Sequence, residues 1–186
     1  VGSEMCIRDR YMFIKNFRQG SIGERNINIE NQYILENVKK DTKPVIFISG
    51  HFNNFELMAM QIEKLGIDLA AVYRPLNNKF LNPLMESIRK KYICKKQIKK
   101  GISGTKELLL NFKKGTSIAL MIDQRVSEGI RVDLFSKKAL TTTIPAQFIK
   151  KFEAKIIPVH IERINVEKFN ITFQDPIKFS KDSNIE

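Results

Sequence analysis

The chain has 186 residues, of which 42% are hydrophobic, and its formal net charge is +12. This length and apolar content suit one globular domain with a sizeable core and exclude wholesale disorder. No run approaches the roughly 18–20 apolar residues of a membrane-spanning helix, and the two cysteines lack the spacing of a disulfide framework or a zinc site.

The first ten residues differ from the rest of the chain. Val1 to Arg10 shows neither helical nor strand periodicity and resembles a spurious read-through stretch, so we expect a non-native leader. The folded domain is therefore expected over residues 11–186. We also expect that the natural protein continues beyond this sequence at both ends.

Hydrophobic periodicity then predicts alternating helices and strands. The predicted helices cover 24–38, 54–65, 79–92 and 104–113, the last capped by Ser103, and a further helix begins at Thr143. The predicted strands cover 45–49, 67–73, 93–98, 116–122, 155–164 and 169–173, with an antiparallel final pair and a polar loop over 125–138. This alternation favours one α/β domain with a mainly parallel central sheet flanked by helices.

Three polar clusters follow predicted strands. They are His51 to Glu56, Tyr73-Arg74-Pro75 and Asp123-Gln124-Arg125. In open α/β sheets, ligand sites gather beyond the carboxyl ends of the strands. We therefore expect the three clusters to converge on one site.

His51 and Glu56 are the residues of the first cluster that suit acid–base chemistry. Five steps along a helix rotate by about 140°, so the two side chains can meet only if His51 precedes the helix and Glu56 lies in its first turn. The carboxylate would then hold one imidazole nitrogen and leave the other to take a proton from a hydroxyl. On spacing alone, a turn histidine followed by a helix-capping glutamate is the simpler interpretation.

The stretch Gly50-His51-Phe52-Asn53-Asn54-Phe55-Glu56 resembles the His-x4-acid motif of the lysophospholipid acyltransferase-like fold. Specifically, it is similar to the form found in the bacterial lipid A biosynthesis (late) acyltransferases. More blocks resemble that family, in order, within residues 24–178: Ala71 to Leu76, Met121 to Gln124, Phe135 with Ala139 to Thr143 and Pro145-Ala146, and Ile156 to Val159 with Arg163. This ordered set is far more specific than His-x4-acid alone.

Four positions depart from the pattern of that family. Asn53, Ser136 and Ile144 stand where glycine is usual, and Phe55 stands where tryptophan is usual. These departures leave the acid–base pair intact. They leave the acceptor and the preferred acyl chain length open.

The resemblance implies an acyltransferase that moves a fatty acyl chain from acyl carrier protein, or from acyl-CoA, to a hydroxyl of a lipid A precursor. His51 would be the general base and Glu56 its orienting partner. Backbone amides near the start of the helix would stabilise the oxyanion. No metal or cofactor is expected, and the enzyme would work at the cytoplasmic face of the bacterial inner membrane through an anchor that this sequence lacks.

Five further residues are implied in substrate binding. Arg74 would bind an anionic group such as a phosphate, and Arg89 is a second anion-binding candidate, although a helix-surface charge is the simpler interpretation. Asp123 would orient Arg74 or Arg125 or shape the acceptor site, with Gln124 beside it. The basic surface would attract acidic acyl carrier protein and an anionic membrane.

Alternatives stay open at this point. A glycerophospholipid acyltransferase of the same fold is disfavoured, because Ile122-Asp123-Gln124-Arg125 stands where a Pro-Glu-Gly-Thr-like block is typical. A basic nucleic-acid-binding domain rests on charge alone, without a helix-turn-helix, zinc-finger or aromatic RNA-binding motif, so no nucleic-acid partner is expected. An inactive relative used as a binding scaffold is disfavoured by the intact His51 and Glu56.

Overall fold

A seven-stranded, mainly parallel sheet forms the centre of the structure, a computed structural model that describes residues 14–20, 25–127 and 129–179. The helices are α1 Ile14–Gln19, α2 Gln32–Lys40, α3 Glu56–Lys64, α4 Leu81–Tyr92, α5 Ile102–Lys113 and α6 Ile144–Phe152. The strands are β1 Ile27–Glu30, β2 Ile46–Ser49, β3 Leu69–Tyr73, β4 Lys96–Lys99, β5 Ser117–Met121, β6 Ile130–Leu134, β7 Lys137–Thr141, β8 Ile156–Arg163 and β9 Phe169–Phe173. The predicted α/β class is confirmed.

The strand order of the sheet is β1-β9-β8-β2-β5-β3-β4. Strands β8, β2, β5, β3 and β4 are parallel to one another. Strand β9 runs antiparallel to β8, as predicted for the final pair, and β1 runs parallel to β9. The carboxyl ends of β2, β3, β4 and β5 therefore lie along one edge, which we call the carboxyl edge.

Both faces of the central sheet are buried, which explains why its inner strands are almost continuously apolar. Phe47 of β2 belongs to a core with apolar side chains of α1, α2 and α3. Ile46, the preceding residue, belongs to a second core with Leu108 and Phe112 of α5 and Phe148 of α6. Successive residues of β2 thus pack against opposite layers of helices, so the sheet lies between two cores.

Two of the secondary-structure elements predicted from the sequence were wrong. Residues 24–38 do not form one helix, because Ile27 and Ile29 alternate with polar residues as strand β1, which pairs with β9 more than 140 positions away. The predicted polar loop over 125–138 contains strand β6, which pairs with β7 in an antiparallel hairpin. Its side chains are mostly exposed, so it lacks the apolar run that marks a buried strand.

Helix ends explain smaller differences. Helix α5 begins at Ile102 after Gly101, so Ser103 lies inside the first turn rather than at the cap. Thr143 does precede α6, although its side chain makes no capping hydrogen bond. Gly66 and Gly115 have positive φ angles just beyond α3 and α5, as a left-handed helix end requires. Among the described residues, none of the helices has the length and apolar character to span a bilayer.

Candidate active site

The pairing of β2 with β5 brings the first and third polar clusters together. Ser49 at the end of β2 lies opposite Met121 at the end of β5, and the Ile122 backbone N–H donates to the Ser49 carbonyl at 3.0 Å. His51 and Asp123 follow two residues beyond that last pair. Register alone therefore places these two side by side at the carboxyl edge.

Asp123 holds His51 with both carboxylate oxygens. Its Oδ2 accepts a hydrogen bond from the His51 backbone N–H at 2.7 Å, and its Oδ1 lies 2.6 Å from Nδ1 of the imidazole. Partial burial by itself raises the pKa of Asp123, but the hydrogen bonds from the backbone and ring of His51 outweigh it and lower that pKa below its usual value. An ionised Asp123 fixes the Nδ1–H tautomer and leaves Nε2 as the basic nitrogen.

Two residues of the turn make this contact possible. A Cβ atom on Gly50 would lie 2.8 Å from the Phe52 ring and 3.2 Å from Oδ2 of Asp123, so glycine leaves the room that the carboxylate occupies. Asn53 has a φ of 43°, in the left-handed region that glycine and asparagine adopt most readily. The chain can thus reverse between His51 and the start of α3.

Glu56 does not hold the imidazole, contrary to the contact predicted from the sequence. His51 does precede the helix and Glu56 does begin it, as that contact required. However, Oε1 of Glu56 accepts hydrogen bonds from Nε and Nη2 of Arg89, both at 3.1 Å. The sequence argument found the turn geometry correctly but could not see that α4 delivers a cation to the carboxylate.

Arg89 belongs to a hydrogen-bonded wall between α3 and α4. Its guanidinium lies 5.5 Å from the centre of the Tyr73 ring, and the Tyr73 hydroxyl donates to Glu86 at 2.6 Å. Burial raises the pKa of Tyr73, and the neighbouring Glu86 carboxylate raises it further. The side chain of Arg89 is therefore held inward by its neighbours, which differs from both the surface charge and the free anion site considered from the sequence.

A cavity of about 460 Å³ opens between these two pairs. His51, Glu56 and Arg89 line it together with Arg74 and Gln124. Its apolar part comes from both sheet and helices, and three alanines leave room there. The apolar lining residues are Phe55, Met58, Ala59, Ala71, Ala119, Leu120, Met121 and Ile144. The cavity thus has both charged and apolar lining, which suits a ligand with a charged head and a hydrocarbon chain.

A second, open cavity of about 500 Å³ lies on the other side of the His51–Asp123 pair. Asp123, Gln124 and Arg125 line it, and the β6–β7 hairpin contributes Arg131 and Lys138. Gln124 lines both cavities. The hydrogen-bonded pair therefore stands where the two cavities approach each other.

The structure thus gathers all seven predicted site residues at the carboxyl edge, although in different pairs from those expected. Sequence reasoning missed Lys100 and Thr105, which line the main cavity near α5. Lys100 belongs to one of the many lysine pairs of this chain, and its position after β4 was the available signal. Over the described ranges, no group of three or more His, Cys, Asp or Glu side chains is placed to hold a metal ion.

A family of known proteins matches most of the chain. The family model described as bacterial lipid A biosynthesis acyltransferase matches residues 10–186. That range includes every residue of the two pairs and of both cavities. No curated protein matches the chain significantly.

Proposed function

This chain belongs to the bacterial lipid A biosynthesis acyltransferase family, and on that premise we propose that His51 acts as the general base of an acyl transfer to a hydroxyl of a lipid A precursor. The family establishes that the protein is an acyltransferase. The donor we propose is a thioester of acyl carrier protein or of coenzyme A. We place the reaction at the cytoplasmic face of the inner membrane, without a metal or other cofactor.

One observation carries the proposal: the Asp123-held imidazole of His51 at a cavity lined by both charged and apolar side chains. Nε2 of His51 takes the proton of the acceptor hydroxyl while the hydroxyl oxygen attacks the thioester carbonyl carbon. The tetrahedral intermediate then expels the donor sulfur, and the proton passes from the imidazolium to the thiolate. Asp123 stabilises the imidazolium between these steps.

The remaining predicted residues take roles that their positions support. Arg74, exposed at the cavity, and Arg125, in the second cavity, suit anionic groups of the two substrates. The first-turn amides of Leu57 and Met58 already donate to turn carbonyls, so we assign oxyanion stabilisation to Gln124 and Arg74 instead. Glu56 and Arg89 maintain the wall of the cavity rather than the orientation of the base.

The test compares the two histidines of the chain. His160 is exposed on β8, 5.0 Å from the Phe52 ring centre and outside the lining of the main cavity. We expect His51→Ala to lower the initial rate of transfer from acyl carrier protein thioester to lipid A precursor by about 10²–10⁴-fold, and His160→Ala to retain it. Wild-type-like transfer by a folded His51→Ala protein would overturn the proposal.

A further inference from the structure

Five large apolar side chains stand in solvent beside the main cavity. We call Leu76, Phe80, Leu81, Leu84 and Ile102 the apolar rim. Phe80 is 94% exposed and Ile102 is 82% exposed, and the other three are exposed by about two fifths or more. Water-exposed aromatic and aliphatic groups in such number mark an interaction surface rather than ordinary scatter.

The rim lies at the carboxyl edge, where the site also lies. Leu76, Phe80, Leu81 and Leu84 follow β3, and Ile102 follows β4 and itself lines the main cavity. Hydrogen bonds hold this segment in place: the Leu76 N–H donates to Asn82 Oδ1 at 2.8 Å, and the Phe80 N–H donates to Asn78 Oδ1 at 2.9 Å. The exposure is therefore built into a folded segment.

The charge around the rim is mainly positive. Residues 74–85 and 99–106 contain no Asp or Glu. They contain five cations, which are Arg74, Lys79, Lys99, Lys100 and Lys106. The first acids after the two segments are Glu86 and the exposed Glu107. Glu86 already accepts from Tyr73 and Asn82 and lies 3.4 Å from Lys99. The rim thus offers apolar groups within a border of net positive charge.

We propose that the apolar rim docks the protein onto an anionic phospholipid bilayer, with the main cavity facing that bilayer. Apolar side chains gain free energy by entering the boundary between headgroups and acyl chains, while lysine and arginine attract anionic headgroups. An acidic carrier protein would neutralise the cations but would not by itself account for the fully exposed Phe80. A bilayer satisfies both features of the surface at once.

The consequence for the site rests on the proposed function. Since Ile102 belongs to both the rim and the cavity lining, an acceptor lipid would pass from the bilayer into the cavity without crossing water. The cost of withdrawing its acyl chains into solvent is thereby avoided. Docking at this edge places His51 near the level of the membrane surface.

The experiment measures cosedimentation of the purified chain with vesicles of phosphatidylcholine, alone or mixed with phosphatidylglycerol. The rim variant is Phe80→Ser/Leu84→Ser. The matched control is Leu110→Ser/Phe179→Ser, which removes one leucine that is 58% exposed and one phenylalanine that is 47% exposed. Leu110 lies near the far end of α5, and Phe179 follows β9, so both are remote from the carboxyl edge.

We expect the rim variant to lose about tenfold or more in affinity for the mixed vesicles and the control variant to bind like the wild type. Binding should also weaken with added salt and on pure phosphatidylcholine. Equal binding by the two variants would overturn the inference. So would a wild-type dimer that only the rim variant dissociates, or loss of acyl carrier protein binding with vesicle binding unchanged.

The docking surface and the catalytic proposal fail separately. Vesicle binding needs no turnover, so a His51→Ala protein should bind vesicles like the wild type. Rim-dependent binding without any acyl transfer to a lipid A precursor would support docking and defeat the proposed function. Transfer to detergent-dispersed precursor, with vesicle binding unchanged in the rim variant, would support the proposed function and defeat docking.

Discussion

The His51–Asp123 pair, through its histidine, and the Glu56–Arg89 pair, through both residues, line the same cavity, but the two pairs differ in their contact with solvent. The side chains of His51 and Asp123 are 31% and 42% exposed, whereas those of Arg89 and Glu56 are 11% and 10% exposed. A partly exposed imidazole can meet a substrate and exchange a proton. A guanidinium that is only 11% exposed and contacts a carboxylate instead contributes to the packing of α3 against α4. We infer that the first pair serves chemistry and the second serves structure.

This comparison is tested most strongly at Asp123. In Asp123→Asn, the amide cannot stabilise an imidazolium and does not enforce the Nδ1–H tautomer. We expect the initial rate of acyl transfer to fall by about 10²–10⁴-fold, with thermal unfolding close to that of the wild type. The matched variant is Glu56→Gln. Its initial rate of acyl transfer, measured at the same substrate concentration, should fall much less. A larger rate loss in Glu56→Gln than in Asp123→Asn would restore Glu56 as the partner of the base.

Disrupting the Glu56–Arg89 pair should lower the stability of the protein. Arg89→Met removes the cation and leaves the Glu56 carboxylate buried without its counter-charge, so we expect the free energy of unfolding to fall by about 3 kcal/mol. Adding Glu56→Gln to that variant removes the uncompensated charge and should recover part of the loss. Urea unfolding of the single and double variants measures the coupling. Additive effects of the two substitutions would show that the ion pair is not a unit.

A smaller effect is expected at the wall behind Arg89. Tyr73→Phe removes the hydroxyl that donates to Glu86 at 2.6 Å but keeps the ring beneath the guanidinium. The expected loss in free energy of unfolding is about 1 kcal/mol. Because the substitution does not touch the His51–Asp123 pair, the rate of transfer should change far less than in Asp123→Asn. The measurements are thermal unfolding and the initial rate of acyl transfer, made on the same preparation of Tyr73→Phe. A rate loss as large as that of Asp123→Asn would contradict the prediction.

The smallest expected effect is on the stability of the protein at low pH. Asp123 has a folded-state pKa below its ordinary value of 3.8, so the folded protein binds fewer protons at this group than the unfolded chain. Its contribution to stability is present above the unfolded-state pKa and disappears as the pH falls through the lowered folded-state pKa. Asp123→Asn should therefore flatten the loss of stability below about pH 4. The measurement is the unfolding midpoint of the wild type and of Asp123→Asn as the pH is lowered. A parallel loss of stability in the two proteins would contradict the lowered pKa of Asp123.

The sequence predicted the fold better than the contacts within the site. Apolar runs such as Ile46–Ser49 and Ser117–Met121 are read correctly because a buried parallel strand needs them, and the clusters after those runs then had to converge. Hydrophobic periodicity could not determine whether Asp123 or Glu56 is the partner of His51. It depends on the register of β2 against β5, and on the reach of Arg89 from α4. The β6–β7 hairpin was missed because solvent-facing strands lack an apolar signature.

The distance in sequence between His51 and Asp123 has a consequence for folding. The two residues are 72 positions apart and meet only where β2 pairs with β5, while β2 also pairs with β8, more than 100 positions later. Contacts between residues so far apart in sequence form slowly, because closing the long loop between them costs conformational entropy. A half-folded chain should therefore have no oriented base. During refolding, recovery of catalysis should coincide with completion of the central sheet. The increase of acyl-transfer activity with refolding time would therefore report when the sheet is complete.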